Sequence, residues 1–278
     1  MINIVVALAT ESRPLIDHFG LTQDPGVAGF RVFRGDGIRL VVTGLGRVPC
    51  AAGVATLGAL DARASRAGMS AWLNVGIAGH ASHEVGEGVH AVRILEAATG
   101  RSWYPPRIVD LPGRGETVCT VDAPETMYAE PYVYDMEASA FYATAVRYST
   151  AETVQVYKIV SDNRGDGVET VSKHRVREAV MEHLAAVEQA AAALSTLADE
   201  ISATQPRLEE IERMLQRWHF SVSQQHQLRA LLRKWRVLRG GVPVLDAELN
   251  RCPSARSVLA EIEDRLGEVY RGAKAGES

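Results

Sequence analysis

Three apolar runs in this sequence each end in an acidic residue, and that arrangement constrains the fold more than any other feature. Asn3 to Leu8 leads through Ala9-Thr10 to Glu11, and Val154 to Val160 runs into Ser161-Asp162. Between them, the run ending in Tyr134-Asp135-Met136 hands Glu137 to a helix that opens at Ala138-Ser139-Ala140-Phe141. Continuous Val/Ile/Leu runs are strands buried on both faces. In an open α/β sheet the C-terminal strand ends are where ligands bind. A carboxylate there is costly unless it has a partner or a task. Three in register predict a site.

The rest of the first two-thirds alternates in the same way. A short helix is expected from Arg13 to Phe19, and Gly35-Asp36-Gly37 joins strands Gly29–Arg34 and Ile38–Thr43 as a hairpin. Gly44-Leu45-Gly46 leads into a small-residue helix from about Pro49 to Ala67. Ala71–Val75 reads as a buried strand ending in Gly76-Ile77-Ala78-Gly79, and Val89–Leu95 and Val118–Val121 as two more. The pattern predicts an α/β fold with a mixed, mostly parallel central sheet covered by helices. One long Ala-rich helix is expected from Val171 to about Ala203. Gln205-Pro206 then breaks the pattern, and an all-helical C-terminal extension follows: Arg207–Trp218, Ser223–Arg239 and Ser254–Tyr270, with a short strand signal at Val242–Leu245. Domains at 1–198 and 199–278 are expected.

Composition narrows the function classes. A net charge of −4 in 278 residues argues against a nucleic-acid binder. Cys50, Cys119 and Cys252 are too few and too scattered for a disulfide framework or a zinc site, which suits a reducing compartment. No secretory signal and no apolar stretch long enough for a membrane are seen, so a cytoplasmic protein is expected. The histidines of His80-Ala81-Ser82-His83, with His90 beyond, match no common zinc spacing and read as part of a loop before a strand. Gly44-Leu45-Gly46 lacks the third glycine of a dinucleotide fingerprint, since Pro49 stands there. It reads instead as a tight turn that brings backbone N–H groups towards a ligand. There is no P-loop and no nucleophile elbow, and neither a metal nor a cofactor is expected.

Taken singly, Glu11 and Glu137 are helix N-terminal acids, each stabilised by the dipole by about 0.3–1 kcal/mol. Asp162 alone could cap the turn Asp162-Asn163-Arg164-Gly165. Together they supply a general acid, a water-activating base and a hydroxyl clamp, which is what cleavage of a glycosidic bond through an oxocarbenium-like state requires.

The order of these motifs resembles the nucleoside phosphorylase superfamily, most closely its methylthioadenosine/S-adenosylhomocysteine nucleosidase branch. The resemblance rests on Ala7-Leu8-Ala9-Thr10-Glu11, Thr43-Gly44-Leu45-Gly46, Asn74-Val75-Gly76-Ile77-Ala78-Gly79, Asp135-Met136-Glu137-Ala138 and Ile159-Val160-Ser161-Asp162, and spans about residues 1–190. It implies hydrolysis of a 5′-modified adenosine-type nucleoside by a homodimer. Asp162, paired with Ser161, would protonate purine N7, and Glu11 would activate water. Glu137 would hold the ribose 2′- and 3′-hydroxyls with Met136 packed on the sugar. Ala78 and Gly79 would line the ribosyl and base pocket.

The chain departs from that pattern in two places. Ile77 stands where relatives often carry a hydroxyl residue. The stretch from Gly79 to Glu137 is also shorter than in relatives, leaving Val121 and Asp122 at a strand end beside the base, and Tyr128, Tyr132, Tyr134 or Trp103 to cover it. Asn74 to Gly79 contains no arginine for phosphate, which favours hydrolysis; Arg47 is the remaining anion-binding candidate and keeps a phosphate-dependent phosphorylase as the alternative. A binding protein that has lost turnover is the reading from a different class. In the extension, Arg207 to Arg239 carries eight basic and three acidic residues around Trp218, Phe220 and Trp235. Leu228, Leu231, Leu232, Trp235 and Leu238 recur at helical spacing, so a buried bundle face is expected rather than a nucleic-acid surface.

Overall fold

The computed structural model describes residues 1–63, 69–206, 208–240 and 247–275. The chain divides into two compact units, Met1–Asp199 and Glu200–Ser278.

The first unit is built on a ten-stranded mixed sheet. Its centre is β1 (Ile2–Val6), fully buried and paired in parallel with β4 (Ile38–Val42) on one side and β5 (Ala71–His80) on the other. β3 (Arg31–Arg34) and the short β2 (Thr22–Gln23) extend one edge antiparallel. At the other side the sheet closes on itself. β5 pairs with β10 (Val154–Asp162), β10 with β6 (Gly88–Glu96), and β6 with β8 (Arg114–Thr120). β8 pairs with β9 (Val133–Asp135), which returns to β5. The two-residue β7 (Ser102–Trp103) sits beside β6.

Helices cover both faces. α1 (Ala9–His18), α4 (Lys173–Glu182) and α5 (Leu184–Thr204) belong to the first unit's helical cover, and Leu15, Val180, Val187 and Leu194 pack against Ile4, Leu40 and Leu73. On the opposite face Cys50, Val54 and Leu57 of α2 (Arg47–Arg63) meet Phe141 and Tyr142 of α3 (Ala138–Ala145) over Val5, Val41 and Trp72. Burying each such aliphatic side chain contributes roughly 1.5–3 kcal/mol.

Of the boundaries that differ from the sequence expectation, three have a clear physical cause. α1 begins at Ala9 rather than Arg13, because Glu11 folds back onto the N–H of Leu8 and closes the first turn. β5 runs on to His80 through two glycines, since β10 pairs with it as far as Gly79 and β9 takes up its end. The expected single helix after Val171 is two. At His183 the backbone leaves helical geometry (φ −99°, ψ 7°), while its ring binds the Tyr157 hydroxyl (2.7 Å) and the Gly86 carbonyl (2.8 Å).

The second unit contains α6 (Leu208–Arg217), α7 (Val222–Arg239), α8 (Ala247–Arg251) and α9 (Ala255–Ala275). Ser221 and Gln224 form a reciprocal capping box at the start of α7, and Gly240 ends it at φ +64°. Trp218, Phe220, Leu228, Leu232 and Trp235 pack with Val258 and Ile262 in one core, and the Trp218 indole donates to the Cys252 carbonyl at 2.9 Å. The aromatic residues that a nucleic-acid surface would expose are therefore inside. The strand signal at Val242–Leu245 lies outside the described residues, as do Arg207 and the end of the α2 region beyond Arg63 apart from its last residues before β5.

Candidate active site

The C-terminal ends of β1, β5, β8, β9 and β10 surround a cavity of about 200 Å³. Glu11, Glu137 and Asp162 all line it. So do Ala78 and Gly79 from β5, Val121 after β8, Met136 after β9, and Ser161 beside Asp162. Arg47 and Asp122 do not. They pair with each other, Nε to Oδ1 at 2.9 Å and Nη2 to Oδ2 at 3.1 Å, and Arg47 also binds Glu96 at 2.5 Å. The Arg47 guanidinium is thus committed to carboxylates outside the lining. Of the aromatic candidates, Tyr134 lines the cavity, whereas Tyr128, Tyr132 and Trp103 do not.

Of the three carboxylates expected from the sequence, Glu11 has the most hydrogen-bond partners. Its Oε2 accepts from Ala7 N (3.0 Å) and Leu8 N (2.7 Å), and its Oε1 from Ile77 N (3.0 Å). A carboxylate offers about four lone-pair positions, so Oε1 keeps one for a water in the cavity. Burial raises the proton affinity of Glu11 above the ordinary carboxylate value, although the three N–H groups and the Lys158 charge oppose it. A carboxylate so perturbed is a stronger base.

Glu137 follows the short β9 by two residues and is the N-cap of α3. Its Oε1 accepts from Gly46 N at 2.7 Å. The glycine turn therefore does present a backbone N–H to the site, but the acceptor is a side chain of the protein. Gly44 and Gly46 hold φ of +91° and +97°, which an L side chain rarely adopts. Burial, opposed by Lys158 and reinforced by Asp135, raises Glu137 to about 7.

Beneath these two lies an ion pair that sequence reasoning missed. Lys158 Nζ meets Asp135 Oδ2 at 2.9 Å, and both side chains are wholly buried. Asp135 further accepts from the Thr120 hydroxyl (2.7 Å) and the N–H of Ala138 (2.7 Å), fastening the start of α3 to β8. Burial disfavours the lysine charge, yet Asp135, Glu137 and Glu11 outweigh it and raise Lys158 above its ordinary value. The available signal was a lysine in a largely apolar strand, Val154–Val160.

At the far end Asp162 Oδ1 accepts from Ser161 Oγ, and Oδ2 accepts from the Tyr128 hydroxyl. The carboxyl approaches β5 closely: a Cβ on Gly79 would stand 2.5 Å from Asp162 Oδ2. Tyr128 is buried, and its phenol is pushed up by burial and then by Asp162, so it stays a donor. Among the described residues it is the one non-glycine with positive φ (+46°). Such strain costs on the order of 1–3 kcal/mol and persists where the surroundings over-determine it. Here Glu125 accepts from Tyr128 N (3.2 Å), and Arg164 donates to Tyr128 O (2.7 Å).

His80 and His83 stack at 3.6 Å, with His83 against Glu116 at 3.2 Å, and His80 closes β5 rather than lying in a loop. Among the described residues no group of three His, Cys, Asp or Glu is arranged to hold a metal ion. Also among them, no helix is long and apolar enough to cross a membrane.

No family model matches the sequence, and no curated protein does. Solved structures do. The 5′-methylthioadenosine/S-adenosylhomocysteine nucleosidase of S. pneumoniae, solved with a transition-state inhibitor, aligns over 70% of this chain and 99% of its own at 20% identity and a TM-score of 0.54. The chain has the fold of these nucleosidases. The same fold is found in the Colwellia psychrerythraea nucleosidase in complex with adenine (18% identity, 70% and 94% covered, TM-score 0.52) and in the futalosine hydrolase of Helicobacter pylori (11%, 68% and 96%, 0.52). The matched 70% of the chain is about the length of the first unit.

Proposed function

We propose that this chain hydrolyses the N-glycosidic bond of a purine nucleoside, with an adenosine modified at the 5′ position as the preferred class. The observation that carries the reading is the convergence of Glu11, Glu137 and Asp162 on one cavity. Asp162 delivers a proton to N7 of the leaving base. Glu11, oriented by three backbone N–H groups, takes a proton from water as that water attacks the anomeric carbon. Glu137 keeps Oε2 for the ribose hydroxyls, because Gly46 occupies Oε1. The carboxylates also favour the positive charge that develops on the sugar ring.

Water is favoured over phosphate as the nucleophile on electrostatic grounds. Among the described residues no arginine, lysine or histidine lines the cavity, and a phosphate would face five carboxyl groups, those of Glu11, Glu125, Asp135, Glu137 and Asp162. The apolar lining of Leu8, Leu45, Ile77 and Val168 offers no partner to a free 5′-hydroxyl and suits an apolar 5′-substituent. The structures of nucleosidases holding a transition-state inhibitor or adenine support the same reading. The test is adenine release from methylthioadenosine, S-adenosylhomocysteine, 5′-deoxyadenosine and adenosine, with and without phosphate. Phosphate-independent release that disappears in Asp162→Asn is expected; release that requires phosphate would make the protein a phosphorylase.

A further inference from the structure

Asp162 is already engaged on both oxygens, by Ser161 on Oδ1 and by Tyr128 on Oδ2. The cavity of about 200 Å³ is below the ~300–1,000 Å³ usual for ligand pockets. Tyr128 is not itself in the lining but borders two residues that are, bonding Asp162 and approaching Gly79. The phenol edge reaches 3.0 Å from where a Gly79 Cβ would be, and the ring meets Tyr134 edge-on at 6.1 Å. The backbone that aims it there is strained and clamped from both sides, by Glu125 on its N–H and Arg164 on its carbonyl.

We infer that Tyr128 is a specificity-determining residue whose hydroxyl occupies the hydrogen-bonding position on Asp162 that the leaving base must take. The inference rests on the reading of Asp162 as the acid that meets a purine. Only a base that hydrogen-bonds Asp162 at least as well as a phenol, and that fills the volume the ring vacates, displaces Tyr128. A purine presents a ring nitrogen beside a flat face of that kind, whereas a single six-membered base leaves part of the vacated volume empty. Displacement also releases the left-handed backbone at residue 128, so the clamp by Glu125 and Arg164 sets how readily the segment yields.

The experiment is calorimetric titration of free adenine into the full-length wild type, Tyr128→Phe and Arg164→Ala, each checked for an unchanged thermal transition. Phenylalanine keeps the ring and removes the bond that binding must break. A hydrogen bond to a charged group is strong enough that adenine should bind Tyr128→Phe roughly tenfold or more tightly than wild type. Arg164→Ala, which loosens the clamp without touching the cavity lining, should shift affinity in the same direction, and it decides the matter if Tyr128→Phe does not fold. Equal or weaker adenine binding by the folded variant overturns the inference and leaves the purine reading standing. Absence of adenine binding in all three proteins overturns the purine reading, and the assignment of Tyr128 with it.

Discussion

Replacing Glu137 by glutamine should stabilise the protein in alkali while weakening its hold on ribose. Glu137 is buried among Glu11, Asp135 and Lys158, and its carboxyl is raised to about 7 from an ordinary 4.5. The folded state therefore binds the proton more tightly than the unfolded chain, and stability falls as pH rises between those two values. At 1.36 kcal/mol per tenfold change in proton affinity, a difference of about 2.5 amounts to about 3 kcal/mol, fully expressed above pH 7 and below about 1 kcal/mol at pH 5. Glutamine keeps the shape and an acceptor for Gly46 N but never ionises. Glu137→Gln should thus be more stable than wild type by up to about 3 kcal/mol at pH 8 and nearly equal to it at pH 5. Hydrogen exchange of the β1 and β5 amides, whose slowest protons report unfolding of this unit, measures the difference at each pH. An effect of equal size at both pH values, or a loss of stability at pH 8, would refute the reasoning. The same variant should bind ribonucleosides about tenfold or more weakly, because hydrogen bonds from the hydroxyls to a charged acceptor are lost.

Two further substitutions probe the supports of the site. Lys158→Met leaves Asp135 buried without its cation and should cost about 3–5 kcal/mol of stability in urea unfolding, far more than the loss of a surface charge; a cost below about 1 kcal/mol would mean that water reaches Asp135. Gly79→Ala places a methyl 2.5 Å from Asp162 Oδ2 and 3.0 Å from the Tyr128 ring. It should depress turnover at least a hundredfold with the fold retained, and wild-type kinetics would show that Asp162 has room to move.

Much of this fold was legible in the sequence. β1 and β10 are largely apolar runs, the Asp36-Gly37 turn announces its hairpin, and the small-residue run after Gly46 forms the expected helix. The three carboxylates were legible because each stands at or within five residues of a strand's C-terminal end, so chain order carries them to the same edge of the sheet. The second half of β5 was not. Gly76 and Gly79 weaken any local strand signal, yet they are glycines because side chains crowd them: a Cβ at Gly76 would lie 3.0 Å from Glu11 Oε1, and one at Gly79 closer still to Asp162. The residues that hide the strand are those that admit the carboxylates.

What the sequence determined by itself is periodicity and punctuation, since strand burial, helix faces and turn residues are properties of neighbours along the chain. What only the tertiary structure decided is which charges meet. Arg47 looked free to bind an anion, but Glu96 and Asp122 arrive from β6 and the end of β8 to take it. Lys158 and Asp135 lie on different strands, and Tyr128 reaches Asp162 from 34 residues away. An ion pair or a hydrogen bond across a closed sheet depends on distances of a few ångströms, and no local pattern encodes these until the strands have paired.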